Sequence, residues 1–207
     1  MISLKNIFSF LLIAIVLYCG YLMFQITWPY FGFDYEIGFL LTKQAILHLT
    51  AWRWAFYLHI STSLVVLILG VFQFLKPMLV RFPKTHRIFG KIYVLFILFL
   101  SAPSGLIMAF YANGGIWTKI SFAIISVLWW VFTLVAFLKI KKGNVQSHLD
   151  FMNRSYALTL SAITLRTLVV VLPHFFILHS REMYMLVSWL SWVPNLIVAE
   201  ILIRSKR

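Results

Sequence analysis

The sequence predicts an all-α polytopic membrane protein: a single integral membrane domain, residues 1–207, with six transmembrane helices. Hydrophobic residues make up 62% of the chain and charged residues only 11%, which leaves too little polar surface for a water-soluble domain of 207 residues. Six apolar stretches each reach the ~20 residues that cross the hydrocarbon core of a bilayer. Basic residues gather in every second connection between these stretches, as they do in the cytoplasmic loops of membrane proteins.

The first apolar stretch, residues 7–28, follows Lys5 and is longer than the core of a cleaved signal peptide, so we interpret it as a retained anchor. The loop after it, residues 29–53, contains at 37–49 a segment that suits a short amphipathic helix at the membrane interface. We expect helices two to five to form a central bundle that helix six closes. The remaining five helices are predicted at residues 54–75, 92–112, 119–138, 151–178 and 184–203.

The distribution of charge predicts the orientation. With the N-terminus inside, 13 basic and two acidic residues fall on the inner side, against four basic and three acidic residues on the outer side. Both termini, including Lys206 and Arg207, should therefore face the cytoplasm, with the protein multi-pass in the cell (plasma) membrane. The basic loops at 76–91 and 139–150 would also attract anionic lipid headgroups. The apolar content indicates a membrane protein, and the basic residues of membrane proteins collect in cytoplasmic loops. This accounts for the net charge of +13, so nucleic acid is not expected as a partner.

Arg166 most strongly suggests a function. It lies within residues 151–178, a stretch without an acidic residue. An arginine at the centre of a spanning helix costs about 2.5–3.5 kcal/mol on insertion scales, so it normally faces protein, water or an anion. Polar residues of helices three and six lie at a similar depth. The candidate ligand-binding residues are therefore Arg166, Ser101, Ser104 and Asn195.

Two interpretations of Arg166 stay open. The guanidinium could be a structural clamp on Asn195 and on the carbonyls that Pro103, Pro173 and Pro194 leave without a helical donor. Alternatively, it binds the anionic or carbonyl part of a ligand, such as a haem propionate, a quinone or a carboxylate. Nearer the inner side, Glu200 is expected to pair with Arg154 or with the basic loops.

Four histidines form two candidate cofactor-binding pairs. His86 and His148 fall at the inner ends of helices three and five, whereas His59 and His174 fall near the outer ends of helices two and five. Haem b held by two imidazoles needs both at one depth on facing helices. The 26 residues from His148 to His174 correspond to about 39 Å of helix, more than the hydrocarbon core, so at most one pair would hold a buried haem. The alternatives are interfacial histidines at the inner pair and helix packing at the outer pair.

The inner histidines also belong to a weak internal repeat. Residues 74–76 are Phe-Leu-Lys and precede His86, and residues 137–139 repeat Phe-Leu-Lys before His148. A parallel duplication would make the two histidines symmetry mates, whereas chance similarity between apolar sequences is the alternative.

Several strings, taken together, resemble a family of bacterial multi-pass membrane proteins known only as a domain of unknown function, of the DUF2306 type. The resemblance covers about residues 54–203 and implies six helices with a shared polar framework. Because that family has no established reaction, it assigns no functional residues. The strings are His86-Arg87-Ile88-Phe89-Gly90-Lys91-Ile92-Tyr93, Ser101-Ala102-Pro103-Ser104-Gly105, Gly114-Gly115, His148 with Met152 and Arg154-Ser155-Tyr156-Ala157-Leu158, Thr164-Leu165-Arg166, and Trp192-Val193-Pro194-Asn195 with Glu200.

The sequence is compatible with three functions. The protein could be a redox or cofactor-binding protein that holds haem b or a quinone. It could be a carrier or sensor for a small anionic or lipidic ligand. It could also be a structural or assembly partner of a membrane complex. The sequence contains no phosphate-binding loop, catalytic triad or HExxH zinc motif, so it assigns no enzymatic reaction.

Overall fold

The computed structural model describes residues 4–205, and no β-strand occurs in that range. Six segments within it are long and apolar enough to cross a membrane, which confirms the predicted fold class and number of spans. Lys206 and Arg207, used above to orient the chain, lie outside the described residues. The first to sixth spans are Phe10–Gly32, Thr50–Gln73, Pro83–Phe110, Ile116–Lys141, Val145–His174 and Ser180–Arg204.

The third, fifth and sixth spans each consist of two α-helices in series. A π-helical turn, Ile97–Ser101, interrupts the third span, and 3₁₀ segments occur at Trp28–Gly32, Gly38–Ile46 and Leu172–His174. The α-helices are α1 (Leu4–Thr27), α2 (Thr50–Gln73), α3 (Lys76–Arg81), α4 (Pro83–Phe96), α5 (Ala102–Phe110), α6 (Ile116–Lys141), α7 (Val145–Thr159), α8 (Ser161–Val171), α9 (Ser180–Leu190) and α10 (Val193–Arg204).

The third span begins earlier than the sequence predicted. We expected it at residue 92, but α4 starts at Pro83, because proline is favoured in the first turn of a helix, where no backbone donor is needed. The first turns of α4 carry basic residues, and hydropathy alone therefore did not mark them as part of the span. The basic connection between spans two and three also forms a short helix, α3, that was not predicted.

Spans two to five form the central bundle, and the sixth span closes it, as the sequence predicted. The most extensive packing joins α6 to α7, α6 to α5, and α2 to α4 and α5. In the sixth span, α10 packs on α7, and α9 packs on α6 and α8. The first span is peripheral: it packs on α2 and keeps most of its described side chains exposed.

We name the two ends of the bundle by their connections. The basic end carries the connections at residues 74–82 and 142–144, with the basic residues that adjoin them. The distal end is the opposite one, and it carries residues 28–49 and the turn at 111–115.

A network of buried hydroxyl groups joins spans three, four and five at the centre of the bundle. The hydroxyl of Tyr93 lies 2.9 Å from the hydroxyl of Ser155 and 3.1 Å from that of Thr159. Thr133 adds a hydroxyl 2.7 Å from Ser155, and Trp129 donates its indole N–H to Thr159 over 3.1 Å. In a bilayer no water can replace these partners, so the network specifies how the three spans face one another.

Nearer the basic end, an ion pair joins the fifth and sixth spans. Arg154 donates Nε and Nη2 to the two carboxylate oxygens of Glu200, with an Nη2–Oε2 distance of 2.9 Å. The guanidinium also stacks over the ring of Phe151, 4.8 Å from its centroid. The predicted pairing of Glu200 with Arg154 is therefore confirmed, and the fork geometry makes it a specific contact between α7 and α10.

Gly70 is the point of closest approach between α2 and α7. A Cβ atom at this position would lie 2.1 Å from Cε2 of Tyr156, well inside van der Waals contact. The ring of Tyr156 has little freedom to move away, because its hydroxyl donates to the carbonyl of Leu67 over 3.2 Å and its face packs on Phe74.

We therefore expect Gly70→Ala to destabilise the bundle by about 1–3 kcal/mol, the usual cost of overpacking a core. Thermal unfolding of the detergent-solubilised protein, followed by intrinsic fluorescence, should show a lower midpoint than the wild type. The matched control is Gly32→Ala, because a Cβ at Gly32 meets nothing within 4 Å. Equal midpoints for the two variants would contradict this account of the α2–α7 contact.

Residues 28–49 form a cap over the distal end. Here the sequence predicted a short amphipathic helix at the interface, and the structure has the 3₁₀ segment Gly38–Ile46, with Lys43 only 3% exposed. The Lys43 ammonium donates to the backbone oxygen of Tyr111 over 2.6 Å and to Oδ1 of Asn113 over 2.7 Å. Asn113 in turn donates to Thr42 over 3.1 Å. These bonds attach the cap to the turn between spans three and four.

The pKa of Lys43 responds to this attachment. Burial, with a smaller contribution from the charge of Lys119, lowers the pKa from its ordinary value of 10.5 to about 8. A detached cap would return the amine to water and to the higher value. Between pH 8 and 10.5 the detached form binds more protons than the attached form, so rising pH favours attachment. The neutral amine keeps two N–H groups for its two acceptors.

Backbone amides of residues 38–46 should accordingly become better protected from hydrogen exchange as the pH rises from 7 to 9.5. The comparison requires correction for the intrinsic pH dependence of exchange, and mass spectrometry of peptides from this segment provides the readout. Lys43→Met should abolish this pH dependence, because it removes the buried amine whose pKa is lowered to about 8. Protection that falls with pH in the wild type would refute the assignment to Lys43.

Candidate ligand-binding site

A cavity of about 440 Å³ lies in the distal half of the bundle, enclosed by the second to sixth spans, with part of the first span and the cap. Its volume is within the range of about 300–1,000 Å³ that small-molecule sites occupy. Apolar and aromatic side chains make up most of the wall, among them Tyr30, Phe39, Phe56, Met108, Phe122 and Trp129.

Helix α2 supplies the polar side of this wall. Trp52, Phe56, His59 and Ser63 all line the cavity and follow one another at intervals of four, three and four residues. That spacing puts them on one face of the helix, along a distance of about 16 Å. The cavity is therefore elongated, and it extends from the cap at Trp52 towards the middle of the bundle at Ser63.

His59 is held by the third span. Its Nδ1 lies 2.9 Å from the carbonyl oxygen of Ser101. Ser101 also donates its hydroxyl to Thr62 over 2.7 Å, and Ser104 donates to the Ser101 carbonyl over 3.1 Å. A Cβ on Gly105 would lie 3.0 Å from the imidazole Cε1, so glycine leaves the ring its space. Ser101 and Ser104, predicted as ligand contacts, thus lie behind His59 and not on the cavity wall.

The π-helical turn explains why backbone carbonyl oxygens of the third span are free to accept hydrogen bonds from side chains. Pro103 has no backbone donor, and the wider turn at Ile97–Ser101 leaves carbonyls without the usual helical partner. Side chains take their place: Trp130 donates to the carbonyl of Leu98 over 3.0 Å, and Ser104 donates to that of Leu100 over 2.5 Å. Irregular backbone at this depth is stable only with such partners.

Arg166 reaches the same cavity from α8. Its side chain lines the cavity together with those of His59 and Tyr184. Within residues 4–205 it makes no hydrogen bond and no salt bridge, so the contacts of a structural clamp are not seen in this range. Arg166 lies eight residues before the end of the fifth span at His174, about 12 Å along the helix. A cation with five donors therefore faces the cavity from within the span.

Two further polar groups on the wall are buried and have no hydrogen-bond partner in the described part of the chain. They are the indole N–H of Trp52 and the hydroxyl of Ser63. An unsatisfied buried donor costs about 1–3 kcal/mol, which a ligand oxygen would remove. Sequence reasoning selected neither residue as a ligand contact, although their spacing from His59 on α2 was visible in the sequence.

The other histidines lie elsewhere. His86 and His148 both lie at the basic end, in the first turns of α4 and α7. His148 donates Nδ1–H to the carbonyl of Ala136 over 2.9 Å, whereas Nδ1 of His86 is buried without a partner among residues 4–205. His174 is exposed and bonds to Val170 in its own helix, and no contact joins it to His59 in the described range. That range also contains no group of three or more His, Cys, Asp or Glu side chains that could hold a metal.

Asn195 lies at a junction between the fifth and sixth spans and not on the cavity wall. Its Nδ2 donates to Thr164 over 2.9 Å and to the carbonyl of Ser191 over 3.2 Å. The carbonyl of Ala157 lies at 3.4 Å. Of the predicted ligand-binding and cofactor-binding residues, the structure thus brings Arg166 and His59 together at one cavity.

Comparison with known proteins fits this architecture. Residues 56–203 match the family model described as "Predicted membrane protein (DUF2306)". The match covers spans three to five completely, the sixth span except its last residue, and the second span from residue 56 onward. A search of the curated proteins found no match, and a search of the solved structures found none either. The family match includes His59, Arg166 and most of the cavity wall. The chain belongs to the DUF2306 family of predicted membrane proteins.

Proposed function

We propose that this membrane protein binds a small amphipathic molecule in the distal cavity, with an anionic or carbonyl oxygen of that molecule against Arg166. One observation carries the proposal: the guanidinium faces a mainly apolar cavity and has no counter-ion among residues 4–205. Arg166 is exposed, but it lies in a membrane-spanning helix, where a cation without an anionic or polar partner is costly. The apolar walls suit the hydrocarbon body of the same ligand.

Two classes of ligand have this chemistry: lipidic carboxylates, which a carrier or sensor would bind, and quinones, which a redox protein would bind. Both combine an oxygen acceptor with an apolar body. The unpaired indole N–H of Trp52 offers a second donor further towards the cap. An elongated ligand with oxygen atoms at two positions would therefore satisfy both donors.

For the orientation, we propose that the basic end faces the cytoplasm. The support is the excess of Lys and Arg in the loops at that end, which the positive-inside rule assigns to the cytoplasmic side. In the plasma membrane the cavity then lies in the outer half of the bilayer, beneath a cap on the external surface. The basic loops would lie among anionic headgroups of the inner leaflet.

The histidine pair at the basic end favours a second candidate function, the binding of haem b. His86 and His148 start spans three and five, and each has a ring nitrogen that makes no hydrogen bond within the described residues. Protein purified from cells supplied with a haem precursor should then show a Soret absorbance band that His86→Ala removes. A preparation without that band would rule out haem at this pair.

The main proposal predicts the effect of Arg166→Met, which keeps the bulk of the side chain and removes its charge and donors. We expect decanoate or decylubiquinone to bind the wild-type protein in lipid nanodiscs. The variant should bind about 10- to 100-fold more weakly, as expected for the loss of a hydrogen bond to a charged group. Titration calorimetry measures both affinities.

The matched control is Arg53→Met, which makes the same change at the same end of the bundle. Arg53 does not line the cavity; its guanidinium donates to Thr50 over 3.3 Å and lies 6.0 Å from the ring centroid of Tyr35. Its affinity for either probe should equal that of the wild type. If Arg166→Met binds as tightly as the control, the proposed role of the guanidinium is wrong.

A further inference from the structure

The hydrogen bond from His59 to Ser101 determines what the imidazole can offer a ligand. A carbonyl oxygen can only accept, so the 2.9 Å contact requires the proton on Nδ1. In the neutral ring Nε2 is then a hydrogen-bond acceptor. Within residues 4–205 this nitrogen makes no hydrogen bond, although His59 lines the cavity. The wall therefore presents an acceptor close to Arg166, which has donors only.

Together, Arg166 and His59 define which polar atoms the head group of a ligand must carry. Arg166 needs an oxygen that accepts, and Nε2 of His59 needs an O–H or N–H that donates. Because both side chains line the same cavity, one ligand can contact both with two atoms of its head. Another cation beside the guanidinium would be repelled, which excludes an ammonium group as the donor. A hydroxyl group satisfies the remaining conditions.

On the basis of the function proposed above, we propose that the ligand of this cavity is an amphiphile whose head combines a hydroxyl, donated to Nε2 of His59, with an oxygen that accepts from Arg166. Two kinds of molecule share this chemistry: hydroquinones and hydroxylated lipidic acids. The corresponding quinone and the unhydroxylated acid keep the acceptor for Arg166 but leave Nε2 without a partner. The site therefore discriminates by the presence of one donor.

Four probes in two matched pairs test this inference. Decylubiquinol is compared with decylubiquinone under anaerobic conditions, and 3-hydroxydecanoate is compared with decanoate. Titration calorimetry on the protein in neutral-lipid nanodiscs gives the affinity of each. In at least one pair, the hydroxyl-bearing member should bind about five- to tenfold more tightly, the scale of one additional neutral hydrogen bond. The pair that shows the preference identifies the ligand class.

The variants assign the preference to the imidazole. His59→Leu should bind both members of the pair equally, whereas His174→Leu, which changes a histidine outside the cavity, should keep the wild-type ratio. The ratio is measured within one variant, so a general loss of stability does not imitate the result. If His59→Leu does not fold, the affinity ratio of the wild-type protein tests the hydroxyl preference by itself. His59→Gln is then the second variant: its amide oxygen can accept a hydrogen bond, so it should keep the preference.

The outcomes separate the two proposals. Equal affinities within both pairs, or tighter binding of the quinone and the unhydroxylated acid, would overturn the hydroxyl inference and leave binding at Arg166 intact. A preference that survives in His59→Leu would overturn the role of this ring. No binding of any probe to the wild-type protein would overturn the proposed function, and the inference would fail with it.

Discussion

The hydroxyl network around Tyr93 is the constraint on which the bundle depends. Inside a bilayer no water can replace a missing protein hydrogen bond. Spans three, four and five must therefore keep the relative positions in which the hydroxyls of Tyr93, Thr133 and Ser155 bond to one another. The same network extends through Thr159 to Trp129, and both of these residues line the cavity. The groups that hold the core together thus also form the inner boundary of the site.

Polar groups with partners and polar groups without them both occur in the described part of the chain. The carbonyls exposed by the π-helical turn have side-chain partners, and the polar junctions at Asn195 and Arg154 are bonded. On the cavity wall, by contrast, Arg166, Trp52 and Ser63 have no partner within the described residues. Other buried polar atoms without a partner in the described range lie away from the cavity, among them Nδ1 of His86 and the hydroxyl of Tyr57. The cavity and the charge of Arg166 beside it therefore support the site, and the unpaired atoms alone do not.

The sequence predicted the spans and singled out Arg166, because length, hydropathy and a lone charge are properties of single segments. It did not predict the partner of His59, since the rotation of each helix decides whether His59 meets Ser101 or His174. Helix α2 has only a weak hydrophobic periodicity, so the sequence did not indicate that the face shared by Trp52, His59 and Ser63 lines a cavity. The sequence did not predict the cap for a related reason. Lys43 is held by residues of the turn at 111–115, which are far from it in the sequence.

The peripheral first span has a consequence for how the site exchanges its contents. Met23 and Thr27 of this span form part of the cavity wall, yet the span packs mainly on α2. For the ligand proposed above, this loosely packed side of the wall is the lateral entry route from the surrounding acyl chains. The cap covers the route from the aqueous side. Molecules dissolved in lipid would reach the site by diffusion in the plane of the membrane. Occupancy would then follow their mole fraction among the lipids and their partition coefficient, and not their concentration in water.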